Sequence, residues 1–361
     1  MLIFDGDFPM AYGALELNRD LTHPLETIRQ AKASSENVPF ACLPEMRRGG
    51  VATALVKFAA RRLRDGSLLP SLRSAEAVYG SARGQVAYYQ ALAECGEATI
   101  LTTGHSISEH TELWEHPQNP QTMPVGFVLG MEGADPILWP EQIHHWFDLG
   151  VRVVSLTHYG PSSYAHGTGT TGGLLGQAED LLQEMGACGM LLDLTHLAEK
   201  AFYETIDIYT GPVLASHQNC QALVPGERQF TDEQLRIVIE RDGVIGASMD
   251  TWMLYPDSGL CWAKAGSVDR RTVFPRTAVT LEHVADHIQH VCELSGNSLH
   301  AAIGGDTDGQ GGLEGAPNDV DTVADYGKIG PILKARGFAD EDVENILYRN
   351  WQRFYEKNLP N

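Results

Sequence analysis

Several acidic and histidine residues stand directly after short apolar runs, at the point where each run ends. These positions are Glu132, His158, His196, His217, Asp250, Asp306 and Asp308. Imidazole nitrogens and carboxylate oxygens are ligand types that suit Zn²⁺. A lone histidine in such a place is more often a hydrogen-bonded structural residue than a metal ligand. The same relation repeated at successive runs, however, indicates a shared metal site.

Glu132, His196 and His217 are the residues from which we expect a zinc site. A catalytic zinc usually has three protein ligands and keeps a fourth position for a water, whose pKa the metal lowers to about 7. The proton of that water needs an acceptor, and the leaving amine later needs a donor. Asp306 has the residue type and the position for both tasks. Asp308 precedes a glycine, and a turn-forming role is the alternative for it.

Eight short apolar runs would form the strands that position these residues. They lie at 2–4, 51–56, 125–130, 151–156, 189–194, 212–215, 244–247 and 301–304. Continuous rather than alternating apolar runs are typical of strands buried on both faces of a parallel sheet. Stretches with helical spacing lie between several of them, at 178–185, 199–209, 232–241 and 281–294. This alternation predicts βαβ units.

Eight such units favour an α/β fold of the (β/α)8 TIM-barrel type. An open doubly wound sheet would also be expected to have a glycine-rich phosphate loop after its first strand, and the sequence has none there. We predict one domain over residues 1–361, with inserted loops near 103–122 and 253–275. In a barrel, the carboxyl ends of the strands meet at one mouth. The second insert would therefore be a lid or substrate wall, or else a surface loop without ligand contact.

Charge and composition favour a small-molecule substrate. The formal net charge of −21 would repel nucleic-acid phosphates and anionic headgroups, so we expect neither nucleic-acid nor membrane binding. The first residues enter a predicted strand without the basic and apolar regions of a signal peptide. No segment has the roughly 20 apolar residues of a membrane span. We therefore expect a cytoplasmic protein, although a chain without its native leader would have the same features.

Seven motifs are spread over nearly the whole chain. They are ALELNRDL at 14–21, MEGAD at 131–135, SLTHY at 155–159, YAHGTG at 164–169, LDLTHL at 192–197, ASHQNC at 215–220 and GGDTDG at 304–309. In these motifs the chain resembles the membrane (renal) dipeptidases and their bacterial relatives, zinc metallopeptidases of the amidohydrolase superfamily. Together the motifs are highly specific for that family.

The resemblance implies a role for each matching residue of the metal site. Glu132 would be the carboxylate that bridges two metals, and His196 and His217 would be the ligands of the second metal. Asp306 would be the acid that handles protons. The family resemblance also suggests a homodimer.

The resemblance further implies residues that contact a dipeptide-like substrate. His158 would reach the substrate carbonyl or the developing oxyanion, with Tyr159 beside it in the substrate site. Arg228 would hold the terminal carboxylate of the substrate, since a guanidinium binds a carboxylate in a bidentate manner. Without the resemblance, a surface ion pair would be the preferred interpretation of Arg228.

The first strand departs from the family pattern. The family opens with a His-x-Asp pair that binds the first metal, whereas this sequence has Asp7 and Pro9 at those two positions. Proline has no ligand atom in its side chain, and Asp7 with Glu132 would be too few ligands for a tight all-protein site. We therefore predict one zinc per chain, at Glu132, His196 and His217, with Asp7 as an additional candidate ligand. A two-metal centre is the alternative.

The sequence thus predicts a zinc-dependent dipeptidase that hydrolyses dipeptides by attack of a metal-activated water. The family resemblance implies that its substrates include dipeptides with a carboxyl-terminal D-residue. Asp306 would shuttle the proton and His158 would stabilise the oxyanion. Two alternatives stay open. One is a binding protein that has lost turnover together with the first metal, and the other is a mononuclear amidohydrolase that acts on another amide or a lactone.

Overall fold

The structure is a computed structural model that describes residues 1–31, 37–255, 270–308 and 312–361. The strands β1 to β9 are, in chain order, Ile3–Phe8, Val51–Phe58, Ala98–Ile100, Val125–Glu132, Val151–Ser155, Leu191–Asp193, Val213–Leu214, Ile245–Ala247 and Ala301–Ile303. Eight of them overlap the eight apolar runs and confirm those predictions. Strand β3 was not predicted, because it has only three residues and one of them, Thr99, is exposed.

Helices follow most of the strands. The α-helices α1 to α14 are, in chain order, Leu25–Ala31, Leu43–Gly49, Ala75–Glu94, Gly104–Glu115, Ile143–Asp148, Ala178–Cys188, Glu199–Ile208, Asp232–Glu240, Thr251–Leu254, Arg270–Val273, Leu281–Ser295, Ile329–Ala335, Asp340–Glu344 and Asn350–Asn358. The four helices predicted from the sequence are α6, α7, α8 and α11, whose ends differ from the prediction by at most three residues.

The strands form a curled, parallel sheet. Strands β1, β2, β4, β5, β6 and β7 are neighbours in that order. A bridge between Ala215 and Ile245 continues the sheet from β7 to β8, which pairs with β9. After β9, the Asp306 N–H donates to the Asp7 carbonyl oxygen at 3.0 Å, and the chain thereby returns to β1. This arrangement confirms the TIM-barrel type of fold.

Burial on both faces of the sheet explains why the strands have continuous apolar sequences. Every residue of β2 and β4 is buried, as expected for strands covered on both faces. Lys57 of β2 pairs in register with Gly130 of β4. A Cβ at Gly130 would lie only 3.0 Å from Lys57 Cδ. The glycine therefore provides the space for a buried lysine side chain inside the barrel. Among the described residues, one hydrophobic cluster extends from Ile3 to Leu359.

The two stretches predicted as insertions differ in what the structure describes. Residues 103–122 contain α4 and a short 3₁₀ helix, and α4 packs on α14, where the Ser108 hydroxyl donates to the Glu356 carboxylate at 2.7 Å. This stretch thus belongs largely to the helical layer. Of residues 253–275, the part from 256 to 269 lies outside the described residues. Within the described ranges, no helix is both long enough and apolar enough to cross a membrane.

Candidate active site

A cavity opens at the carboxyl ends of the strands, where the sequence predicted a site. Its empty volume is about 870 Å³, including space open to solvent. The lining brings together residues that follow different strands, which are Pro9, Tyr12, Glu16, Lys57, Phe58, Ala59, Arg61, Leu69, Gln85, Glu132, His158, Tyr159, His196, Asp250, Trp252 and Asp306. Five of the predicted polar residues therefore share this cavity, and His217 lies directly behind them against His196.

Glu132, His196 and His217 form a compact group of buried ligand atoms, all within 4.8 Å of one another. The two Nε2 atoms of the histidines are 3.0 Å apart, and Glu132 Oε1 lies 3.8 Å from His196 Nε2 and 3.5 Å from His217 Nε2. Ligands bound about 2.0–2.1 Å from a tetrahedral zinc lie roughly 3.3 Å apart. The three side chains therefore have separations that fit one such ion.

Hydrogen bonds fix the tautomers of both histidines. The Thr168 hydroxyl points to the His196 carbonyl and so accepts from His196 Nδ1, 2.9 Å away. The Ser216 hydroxyl donates to Asp193 and lies 2.8 Å from His217 Nδ1, from which it accepts. With each Nδ1 as a donor, the two Nε2 atoms face the shared point. Burial lowers the pKa of His217, but the charges of Asp7 and Asp306 outweigh it and raise that pKa, so a metal that binds Nε2 would displace a proton from it. This arrangement of outer partners is typical of metal-binding histidines.

Backbone conformation also orients the site. His196 has a φ of 72° and Asp306 a φ of 61°, both in the left-handed region that non-glycine residues seldom adopt. Such conformations cost on the order of 1–3 kcal/mol and persist where the surroundings enforce them, often at functional sites. Asp308, with a φ of 62°, is a third residue in this region, so the backbone is strained at three of the residues that the sequence singled out.

Arg61, which the sequence analysis did not single out, keeps His158 neutral with its proton on Nε2. Arg61 Nε donates to His158 Nδ1 at 3.0 Å, and an arginine has no acceptor, so the imidazole proton must be on Nε2. His158 Nε2 lies 3.5 Å from Glu132 Oε2. Burial, and then the charge of Arg61, lowers the pKa of His158 well below its usual value. The only sequence signal for Arg61 was a basic pair, Arg61 and Arg62, just after a buried strand.

Asp306 and Asp308 have different environments. The Ser248 hydroxyl donates to Asp306 Oδ2 at 3.0 Å, and burial raises the pKa of Asp306 to about 7 against the opposing effect of His217. This carboxyl can therefore gain or lose a proton near neutral pH. Asp308 instead pairs with Arg19 at 2.8 Å and accepts two backbone N–H groups, from 40 and 41. Its contacts are those of a structural residue that holds two loops together.

Asp7 lies outside the three-ligand group. Its Oδ2 atom is 3.0 Å from Lys57 Nζ and 2.9 Å from His217 Nδ1. Burial favours protonation of Asp7, but the charges of His217 and Lys57 outweigh it and lower the pKa. Lys57 was missed by sequence reasoning, although a single charged residue inside the run VATALVKF was a visible signal. Pro9 lines the cavity and offers no ligand atom.

Arg228 and Tyr159 flank the histidines on different sides. Arg228 is buried behind His217, where its Nη1 donates to Gln218 Oε1 at 2.8 Å and its Nη2 to the His217 carbonyl at 2.9 Å. Its Nε has no hydrogen-bond partner among the described residues. Tyr159 lines the cavity, with its ring centroid 5.0 Å from that of His196. Arg228 is therefore not part of a surface ion pair.

Curated proteins are similar to this chain in sequence. Dipeptidase tcpJ of Claviceps purpurea is 32% identical over 231 residues, 62% of this chain and 48% of that protein. An uncharacterized dipeptidase of Schizosaccharomyces pombe is 26% identical over 237 residues, 64% of this chain and 53% of that protein. The chain thus spans about half the length of these relatives.

Solved structures show the same fold. A metallopeptidase from Rhodobacter sphaeroides, liganded with a phosphinate mimic of the dipeptide L-Ala-D-Ala, has a TM-score of 0.78 at 21% identity, with 99% of both chains covered. The probable dipeptidase PvdM from Pseudomonas aeruginosa has a TM-score of 0.75 at 16% identity, with 99% of this chain and 95% of that chain covered. The model of the membrane dipeptidase family, peptidase family M19, matches residues 92–359. The chain belongs to this membrane dipeptidase family.

Proposed function

We propose that this protein is a zinc-dependent dipeptidase with one metal held by Glu132, His196 and His217. The observation that carries the proposal is the convergence of these three buried ligands on one point at the wall of the cavity. Family membership implies metal dependence, and the nitrogen and oxygen donors suit zinc. Three protein ligands also leave the fourth position for a water or a substrate oxygen, as in catalytic zinc sites.

Bound there, a zinc ion would lower the pKa of a water molecule and polarise the scissile carbonyl. Asp306 has the residue type, the burial and the pKa to accept the proton of the nucleophile and to pass it to the leaving amine. His158, neutral and protonated on Nε2, would donate to the carbonyl oxygen as negative charge develops there. Arg61 would keep His158 in that tautomer.

The terminal carboxylate of a dipeptide needs a cationic partner. The family resemblance assigns this task to Arg228, which lies behind the cavity lining and whose buried Nε has no acceptor among the described residues. Arg61 is the second candidate, since it lines the cavity itself. Tyr159 would form part of the substrate wall beside His158.

The Rhodobacter sphaeroides neighbour bears an L-Ala-D-Ala mimic, which supports a carboxyl-terminal D-residue in the substrate. A cytoplasmic location and a homodimer stay predictions.

The test is hydrolysis by purified, zinc-loaded protein of a panel that contains L,L and L,D dipeptides, other amides and lactones. We expect turnover of dipeptides, and loss of it in the variant His196→Ala measured at the same zinc concentration. Circular dichroism of both proteins controls for folding. A folded, zinc-loaded protein that hydrolyses no dipeptide would contradict the proposal, and turnover restricted to another amide or a lactone would assign a different substrate class.

A further inference from the structure

Lys57 is a charged residue in the centre of the barrel. Its side chain is fully buried, and its ammonium lies 2.8 Å from Asp193 Oδ2, 3.0 Å from Asp7 Oδ2 and 3.8 Å from Glu132 Oε1. It also donates to the Ser216 hydroxyl at 3.2 Å. One cation of this chain is thus surrounded by three buried carboxylates.

Two residues at positions that the family resemblance assigns to a first metal contact that ammonium. The resemblance assigns the first metal to the first strand and to the bridging glutamate, and Asp7 and Glu132 are the residues found there. Both carboxylates contact Lys57, whereas Pro9 provides no ligand. A Cβ at residue 130 would crowd the lysine side chain, only 3.0 Å from its Cδ, and glycine avoids this contact. The incomplete ligand set for a first metal and the lysine that could replace that metal thus lie in the same region.

We propose that the Lys57 ammonium takes the place of the first metal, so that the site binds a single divalent cation. Three buried carboxylates would be costly without a counter-charge, and the ammonium supplies it within the fold. Asp7 Oδ2 also lies 2.9 Å from His217 Nδ1, beside the Ser216 hydroxyl that accepts from that nitrogen, so both the ammonium and an imidazole face this carboxylate. The inference rests on the proposed metal site, but not on the identity of the substrate.

Variants at Lys57 test the proposal with Mn²⁺ as the probe, because carboxylate oxygens suit this ion. The full chain is saturated with Mn²⁺ and desalted, and the metal per chain is measured by elemental analysis together with the electron paramagnetic resonance spectrum. We expect one uncoupled Mn²⁺ in the wild type and in Lys57→Arg, which keeps the cation. In Lys57→Met we expect two spin-coupled ions. The exposed Lys200, replaced by methionine, is the matched control and should keep one ion.

Thermal unfolding gives a second readout. Without metal, Lys57→Met should unfold about 5–10 °C below the wild type, because three carboxylates lose their cation, and Mn²⁺ should restore most of this loss. If Lys57→Met does not fold, Lys57→Gln takes its place with the same expectations, since its amide can still donate to Asp193.

Two coupled ions in the wild type would overturn the proposal, and so would a folded Lys57→Met protein that binds one ion and unfolds like the wild type. Metal counts and unfolding temperatures do not depend on peptide hydrolysis. A protein that binds one ion but hydrolyses no dipeptide would therefore contradict the proposed function and leave this inference intact.

Discussion

The barrel mouth contains two groups of buried polar residues, an imidazole half and an ammonium half. They differ in what balances the negative charge of their carboxylates. In the imidazole half, Glu132, His196 and His217 face one another, and Glu132 Oε1 is also 3.8 Å from the Lys57 ammonium. In the ammonium half, Asp7 and Asp193 surround the Lys57 ammonium. The comparison teaches that a group of buried acids is not in itself a metal site. We expect a metal only where the chain does not already supply the counter-charge.

The largest effect is expected from His196→Ala, which removes a ligand from the imidazole half. Dipeptide hydrolysis should fall at least ~10³-fold, because a catalytic metal supplies several kcal/mol of transition-state stabilisation. Bound zinc, measured by elemental analysis, should be lost as well. Cys42→Ala, a buried change away from the mouth, is the control for core substitutions. Zinc retained by a folded His196→Ala protein would mean that the two halves have been assigned wrongly.

Asp306→Asn should lower kcat/KM by about 10²- to 10⁴-fold, the usual contribution of a general acid or base. The amide keeps the shape of the side chain and can still contact the Ser248 hydroxyl. Zinc content should stay as in the wild type, because Asp306 belongs to neither half. Steady-state kinetics and elemental analysis on the same sample provide the measurement. If zinc were lost together with activity, Asp306 would be a ligand rather than a proton carrier.

Thr168→Val removes the acceptor that fixes the tautomer of His196, 2.9 Å from Nδ1. Outer partners of this kind change metal affinity by roughly 10–100-fold, so zinc should bind that much more weakly. Competition with a chelator measures the affinity. Thr170→Val in the same loop is the matched control, because the hydroxyl of Thr170 donates to the Gly167 carbonyl and contacts no ligand. Equal affinities in the two variants would contradict the argument from tautomers.

A buried histidine outside both halves should affect stability but not metal binding. His287 Nδ1 accepts from the Cys220 N–H at 3.0 Å, and burial lowers the pKa of His287 to about 3. Its unfolded pKa is about 6.5. Between these values the unfolded state binds the extra proton, so stability is present above pH 6.5 and is lost as the pH falls. The slope from this group is at most about 1.4 kcal/mol per pH unit.

Urea unfolding between pH 7 and pH 5 measures that slope. In His287→Gln the slope of the unfolding free energy against pH should be smaller by up to about 1.4 kcal/mol per pH unit, which corresponds to one proton. His105→Gln, at an exposed position, should retain the wild-type slope. Identical slopes in all three proteins would show that His287 is not held neutral. Zinc content should not change in either variant.

The sequence predicted the imidazole half better than the ammonium half, for a physical reason. Continuous burial of parallel strands leaves a periodic signal, and residues after strand ends are brought together by the topology, so Glu132, His196 and His217 could be grouped. Lys57 could not be interpreted, because a charge inside an apolar run does not reveal which acids it meets across the barrel. Arg61 was missed because its role depends on one hydrogen bond to His158.

We expect one divalent cation at the imidazole half and none at the ammonium half. The most direct measurement is the zinc content per chain of the unmodified protein after saturation with zinc and desalting. We predict one zinc per chain, which disappears in His217→Ala because that variant lacks a ligand of the group. Two stoichiometric zinc ions in the unmodified protein, or one that persists in His217→Ala, would contradict the account.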